Sequence, residues 1–185
     1  MNRDLILQYF VEYLKEKVAL TLVSLNLMET PEETKLTLCI NDGSENSSFE
    51  GKGVGIVDAG FNALLSHYGK EYKSLDTIEL SDLYFQVDHS DRRNISLKSK
   101  TLMKLEFRND SKDRTCFSEK THSMSFTGVS VLVKAVEFYV NCELLFKRLK
   151  FLITDAENRG RADVASRYRY ALSKVVEVTS YQSIS

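Results

Sequence analysis

A chain of 185 residues with 43% hydrophobic residues is near the size of one domain and has enough apolar side chains to bury a core. A net charge of −1 and a pI near 6.3 give no global attraction to nucleic acid or to an acidic membrane surface. The three cysteines, Cys39, Cys116 and Cys142, are odd in number and form no CxxC, which argues against a disulfide framework or zinc site and for a reducing cytoplasm.

The opening "MNRDLILQYFVEYLKEK" has no basic leader, and Gln8 and Glu12 interrupt its apolar run, so it reads as neither a signal peptide nor a membrane span. Leu5, Ile6, Tyr9, Phe10, Tyr13 and Leu14 recur on one face and predict an N-terminal helix within residues 1–17. From Leu20 the period becomes strand-like. "LTLVSLNL" (20–27) and "KLTLCI" (35–40) flank the turn "METPEET", and "NDG" at 41–43 leads to a third extended piece around Ser47 to Glu50. Val57, Phe61, Leu64, Leu65 and Tyr68 then mark a helix ended by Gly69 as its C′ residue.

The second half follows the same plan. "TIELSDLYFQVD" (77–88), "LMKLEFRND" (102–110) and "RTCFSEK" (114–120) read as strands, and an apolar-periodic helix runs from Thr127 to about Leu149. "KLTL" at 35–38 answers "KLEF" at 104–107, and the same shift of 69 residues carries Asp58 onto Thr127, both suited to N-capping a helix. The fold class expected is therefore α+β, with two pseudo-symmetric βββα units at 18–69 and 75–149, flanked by an N-terminal helix (1–17) and a C-terminal helical tail (150–185). Unpaired sheet edges and helix faces favour a homodimer.

The tail "DAENRGRADVASRYRYALSKVVEV" places Val164, Tyr168, Leu172 and Val175 at helical spacing beside Arg161, Arg167 and Arg169. Such a helix either packs on its own domain or docks on a partner.

The most informative stretch is "SFEGKGVGIVDAGFNALLSHYG" (48–69), in which glycines run into a helix start. Gly53 and Gly55 would admit positive φ or close approach of a ligand, and the amides and positive dipole end of the helix suit a carboxylate. Val54, Ile56 and Val57 would offer apolar surface to an aliphatic side chain, and Asp58 would cap the helix. The bland alternative is a tight strand-to-helix connection with an ordinary cap.

The segment "GVGIVDAGFNAL" (53–64) resembles the G-N-G-P-V-D-A-A-F-x-A-I run of the C-terminal regulatory, or dimerisation, domain of 2-isopropylmalate synthase and citramalate synthase. Gly53, Gly55, Val57, Asp58, Ala59, Phe61 and Ala63 stand at matching positions, with Val54 in place of Asn and Ile56 in place of Pro. The resemblance spans roughly residues 18–149. It implies two βββα units, a homodimer, and a leucine, isoleucine or related small-acid effector at the two glycine-bearing loops, controlling a separate catalytic partner. It places the effector on Gly53, Val54, Gly55, Ile56, Val57, Asp58 and Ala59, and in the second loop, "EKTHSMSFTGVS" (119–130), on Ser125 and Thr127. There Thr127 replaces the usual Asp. The competing reading keeps the fold and loses the ligand, leaving an interaction module.

Catalysis has little support. His67, His89 and His122 form no ligand pair, no nucleophile–base arrangement is visible, no cofactor or metal is expected, and Cys39 and Cys116 read as core residues of strands. The aromatics Tyr84, Phe85, Phe107 and Phe117 beside the basic loop 91–100 read as sheet core and solvated loop, with no nucleic acid and no membrane implied.

Overall fold

The computed structural model describes residues 3–87 and 99–182. In chain order its elements are α1 (Arg3–Tyr13), β1 (Thr21–Glu29), β2 (Thr34–Asn41), β3 (Asn46–Gly53), α2 (Ile56–Tyr68), a short 3-10 helix (Lys73–Thr77), β4 (Ile78–Val87), β5 (Thr101–Asn109), β6 (Arg114–Thr121), α3 (Met124–Asn158) and α4 (Ala162–Thr179). The fold is α+β: two antiparallel three-stranded meanders, β1-β2-β3 and β4-β5-β6, each followed by a helix.

The central strands explain why the units fold as they do. Thr34, Leu36, Leu38 and Ile40 on β2, and Thr101, Met103, Leu105, Phe107 and Asn109 on β5, point inward at every second position. α2 lays Ala59, Ala63 and Leu64 on β3 and β2, and α3 packs on β6 and β5. The two helices then cross at their first turns. A Cβ on Gly60 would stand 2.9 Å from Leu132 Cδ1, and one on Gly128 would stand 3.8 Å from Val57 Cγ2.

The hydrogen-bond ladders also set the repeat. Each first strand carries a bulge, between Leu22 and Ser24 in β1 and between Leu80 and Asp82 in β4. Thr34, paired with Glu29 and Gly53, answers Thr101, paired with Val87 and Thr121. Leu36 therefore answers Met103, two residues from the match that "KLTL" and "KLEF" suggest. A two-residue slip keeps every side chain on its face, so alternation alone conceals it.

α3 is longer than expected, beginning at Met124 and running to Asn158. Its cap is Ser123, whose hydroxyl accepts from the Phe126 amide at 3.2 Å, and not Thr127, which is fully buried inside the helix. Buried residues circle α3 from Thr127 to Leu149, because both sheets, α1, α2, α4 and the 3-10 helix all pack on it. Glu143, in this core, accepts from the Ser74 amide at 2.8 Å, from Tyr181 at 3.3 Å and from Lys147 at 2.7 Å. Charge and hydrogen bonds thus hold the inter-unit 3-10 helix and the chain's end to one helix.

The C-terminal helix packs on its own domain and is no free docking arm. Ala165, Ala171, Val175 and Val178 are buried, Tyr181 stacks edge-on with Phe146, and Asn109 Nδ2 donates to the Glu177 and Val178 carbonyls at 2.8 and 3.0 Å. Its arginines are spoken for: Arg167 meets Glu12, Arg169 meets Glu157 and Arg161 meets Asp163. Among the described residues, no helix is long and apolar enough to cross a membrane.

Candidate functional site

The glycine loop joins β3 to α2, and the reason for its glycines lies on the strand side. A Cβ on Gly51 would collide with the Ala59 carbonyl and stand 2.6 Å from Ala63 Cβ; one on Gly53 would collide with Asp58 and stand 2.5 Å from the Ala59 nitrogen. β3 thus runs against α2 at a distance that only a glycine–alanine contact permits. Positive φ plays no part: the positive-φ glycines are Gly43 and Gly160, and Gly55 is extended at φ −155° with open space around it. The expectation of left-handed backbone at Gly53 and Gly55 is corrected accordingly.

Asp58 also differs from its expected role. Gly55 is the N-cap of α2 and makes no side-chain cap, and Asp58 is the third helical residue. Its Oδ2 accepts from the Val54 amide at 3.0 Å, four residues back and one before the N-cap, and so ties the loop to the helix start. Asn62 Nδ2 braces the same loop, donating to the Lys52 carbonyl at 3.0 Å and to Asp58 Oδ1 at 3.4 Å. The first intrahelical bond is Ala59 to Gly55, so the amides of Ile56, Val57 and Asp58 have no helical partner. Ile56 and Val57 are half-buried and pack on the core, and Val54 is 87% exposed. Gly69 is a right-handed C-cap and not a left-handed C′ residue.

In the second loop, Thr127 answers Ala59. Its Oγ1 is 2.6 Å from both the Thr121 hydroxyl and the Ser123 carbonyl, so it braces β6 to the start of α3 and is spent. Ser125 is half-buried in the first turn. Val57 and Gly128 come together where the helices cross, so the two loops share one end of the molecule. A cleft of about 310 Å³ next to the first loop opens on Leu27, Met28, Lys35, Thr37, Glu50 and Lys52 instead of on the helix amides.

Other candidates take simple places. Cys39 is half-buried and Cys142 buried, its thiol pushed up by burial, whereas Cys116 is exposed, contrary to its reading as a core residue, because Thr115 and Phe117 take the inward positions of β6. His67 stacks on Phe49; His89 and positions 91–98 of the basic loop lie outside the described residues. No group of three metal-ligating side chains occurs among the described residues. Of the four aromatics beside that loop, Phe107 and Phe117 are core and Tyr84 and Phe85 are exposed on β4.

Those exposed residues belong to a feature that motif reading passes over. The helices cover the second and third strand of each sheet most fully, and the first strand lies at the margin, with α3 reaching β1. Beyond its bulge, each first strand turns to the inner face apolar side chains that stay partly exposed: Leu27 (39% exposed) on β1, Leu83 (44%) and Phe85 (41%) on β4. Neither strand carries Lys, Arg or Pro. Alternating apolar residues were visible in the sequence; which strand the helix would miss was not.

No protein-family model matches this chain, and no curated protein matches it.

Proposed function

We propose that this protein is a non-catalytic domain of the regulatory type, similar to the dimerisation domain of 2-isopropylmalate synthase, that works as a homodimer and serves a catalytic chain as its regulatory subunit in the cytoplasm. The observation that carries this reading is the partial exposure of Leu27 on β1 and of Leu83 and Phe85 on β4, beyond the bulges. Both units leave apolar side chains at the far end of the same edge strand partly exposed among the described residues, and an apolar edge exposed to water is an association surface. A second copy supplies the same edge by two-fold symmetry, so one kind of contact satisfies both chains. Light scattering on the full chain at micromolar concentration gives a dimer under this reading. The double substitution Leu83→Lys and Phe85→Lys gives a folded monomer with an unchanged circular dichroism spectrum. A wild-type monomer overturns it.

A second reading, effector binding at the glycine loop, is favoured by the three amides of Ile56, Val57 and Asp58 that lack helical partners, beside apolar Val54. Calorimetric titration with leucine, isoleucine and their 2-oxo acids tests it. Saturable heat that Gly55→Val removes supports an effector there, and no heat leaves an assembly module.

A further inference from the structure

The two edge strands are not equivalent. On β4, Leu83, Tyr84 and Phe85 are all exposed, three consecutive large apolar side chains that a merely solvated edge has no reason to carry. α3 reaches β1 and holds the chain that leads into it: the Val18 amide donates to Asn141 Oδ1 at 3.0 Å and the Leu20 amide to Glu137 Oε2 at 2.7 Å. No helix makes a comparable contact with β4 among the described residues.

The backbone of β4 marks its open side. The Leu83 amide takes the neighbouring carboxylate, Asp82 Oδ1, as its acceptor at 2.8 Å, as an edge amide does when no second strand is beside it. Backbone groups alternate between the two sides of a strand, so those of Phe85 point the same way as those of Leu83. Asp82, Tyr84 and Gln86 turn theirs toward β5, opposite Glu106, Lys104 and Leu102.

A second copy of the same strand fits this edge. Both apolar faces must lie on one side of a joint sheet, so inner-face residues have to oppose inner-face residues. Antiparallel pairing centred on Tyr84 meets that condition and sets Leu83 of each copy against Phe85 of the other. It also sets Asp82 against Gln86. Gln86 Oε1 already accepts from the Tyr84 hydroxyl at 2.9 Å, which leaves its side-chain NH2 to donate to the carboxylate that gives up the Leu83 amide. Centring the pairing on Asp82 instead would oppose two carboxylates. We infer that two copies join β4 to β4 antiparallel about Tyr84, fusing two three-stranded sheets into one of six strands. This rests on the homodimer reading above and assigns its seam to β4 and not to β1.

The test is disulfide trapping in the full chain carrying Cys39→Ser and Cys116→Ser, Cys142 being buried, at a concentration where light scattering gives the dimer. Opposed Tyr84 positions form a pair without backbone hydrogen bonds, with Cα atoms about 4.5 Å apart and within disulfide reach. Tyr84→Cys therefore oxidises to a covalent dimer, and Asn26→Cys, on the exposed outer face of β1, does not. Charge checks the register. Gln86→Asp sets like charges against Asp82 of the other copy and weakens the dimer by about fivefold or more, and adding Asp82→Lys restores it. Within one strand these positions lie about 13 Å apart, so only the second copy supplies the restoring contact. Should Tyr84→Cys itself dissociate the dimer, this loss and rescue decides the matter. A dimer that traps at Asn26 instead of Tyr84, or that shows no rescue by the second charge, overturns the inference and leaves the homodimer standing. A wild-type monomer overturns both.

Discussion

The two βββα units solve one packing problem with opposite chemistry. In the first, Gly51 and Gly53 on β3 let the strand lie directly against Ala59 and Ala63 of α2. In the second, the ladder places Glu119 and Thr121 at those positions. There Glu119 pairs with Lys134 of α3, and Thr121 hydrogen-bonds Thr127, the residue answering Ala59. One interface is steric and the other polar. A repeat therefore conserves the placement of elements more readily than the contact that joins them, and a glycine motif in one copy need not recur in the other.

The helices differ in the same spirit. α2 has 13 residues and covers one sheet, whereas α3 has 35 and is surrounded. Removing α4 and the chain that follows it strips one wall from α3, takes Tyr181 off Phe146 and breaks its hydrogen bond to Glu143. Ending the chain before Ala162 should therefore leave no soluble folded protein. A cooperative thermal transition in the truncated chain, at the full-length temperature, would contradict the account of α3 as a helix that needs every wall.

A smaller effect separates the glycines. Gly51→Val drives a side chain into the Ala59 carbonyl and Ala63, where backbone must move, and should cost about 3 kcal/mol or more. Gly55→Val meets open space at φ −155° and should change stability by less than about 0.5 kcal/mol. Urea unfolding of the two variants measures both. Equal losses would mean that the loop and not the strand sets the helix's approach.

These cases also show what could be read without coordinates. The alternation of Leu36, Leu38 and Ile40 and the turn residues at 41–43 locate a strand and its hairpin, because both are local properties. The glycines were visible, but their cause was not: whether a bare Cα faces a ligand or the neighbouring helix depends on α2, which no spacing on β3 reports. Thr127 has the chemistry of a cap, yet Ser123 lies one turn earlier and has it too, and only the end of β6 decides between them. The contact of Arg3 with the Cys116 carbonyl and the Phe117 ring joins positions more than a hundred residues apart and left no local signal.

The smallest expected effect lies in the hairpin turns, where the units again differ. Between β2 and β3 the turn is held by a charge. Asp42 Oδ1 accepts from the Ser44 and Glu45 amides at 2.9 and 3.0 Å and from the Ser44 hydroxyl at 2.8 Å. The Glu45 amide first, then the Ser44 amide and hydroxyl, hold its carboxyl down to about 2 from 3.8. Between β5 and β6 a neutral amide does this work: Asn109 Oδ1 accepts from the Asp113 amide at 2.9 Å. Because the folded-state pKa of Asp42 lies below its unfolded value, its contribution is complete above about pH 4 and is lost as pH falls toward 2. Acid should therefore loosen the first turn before the second. Amide resonances of Ser44 and Glu45 should titrate with a midpoint near 2, and Asp42→Asn should abolish that titration. The Asp113 amide should keep its hydrogen bond throughout, since its acceptor carries no proton to gain. If both turns lost protection at the same pH, the charge on Asp42 would not be what distinguishes them, and acid would be acting on a structure the two units share.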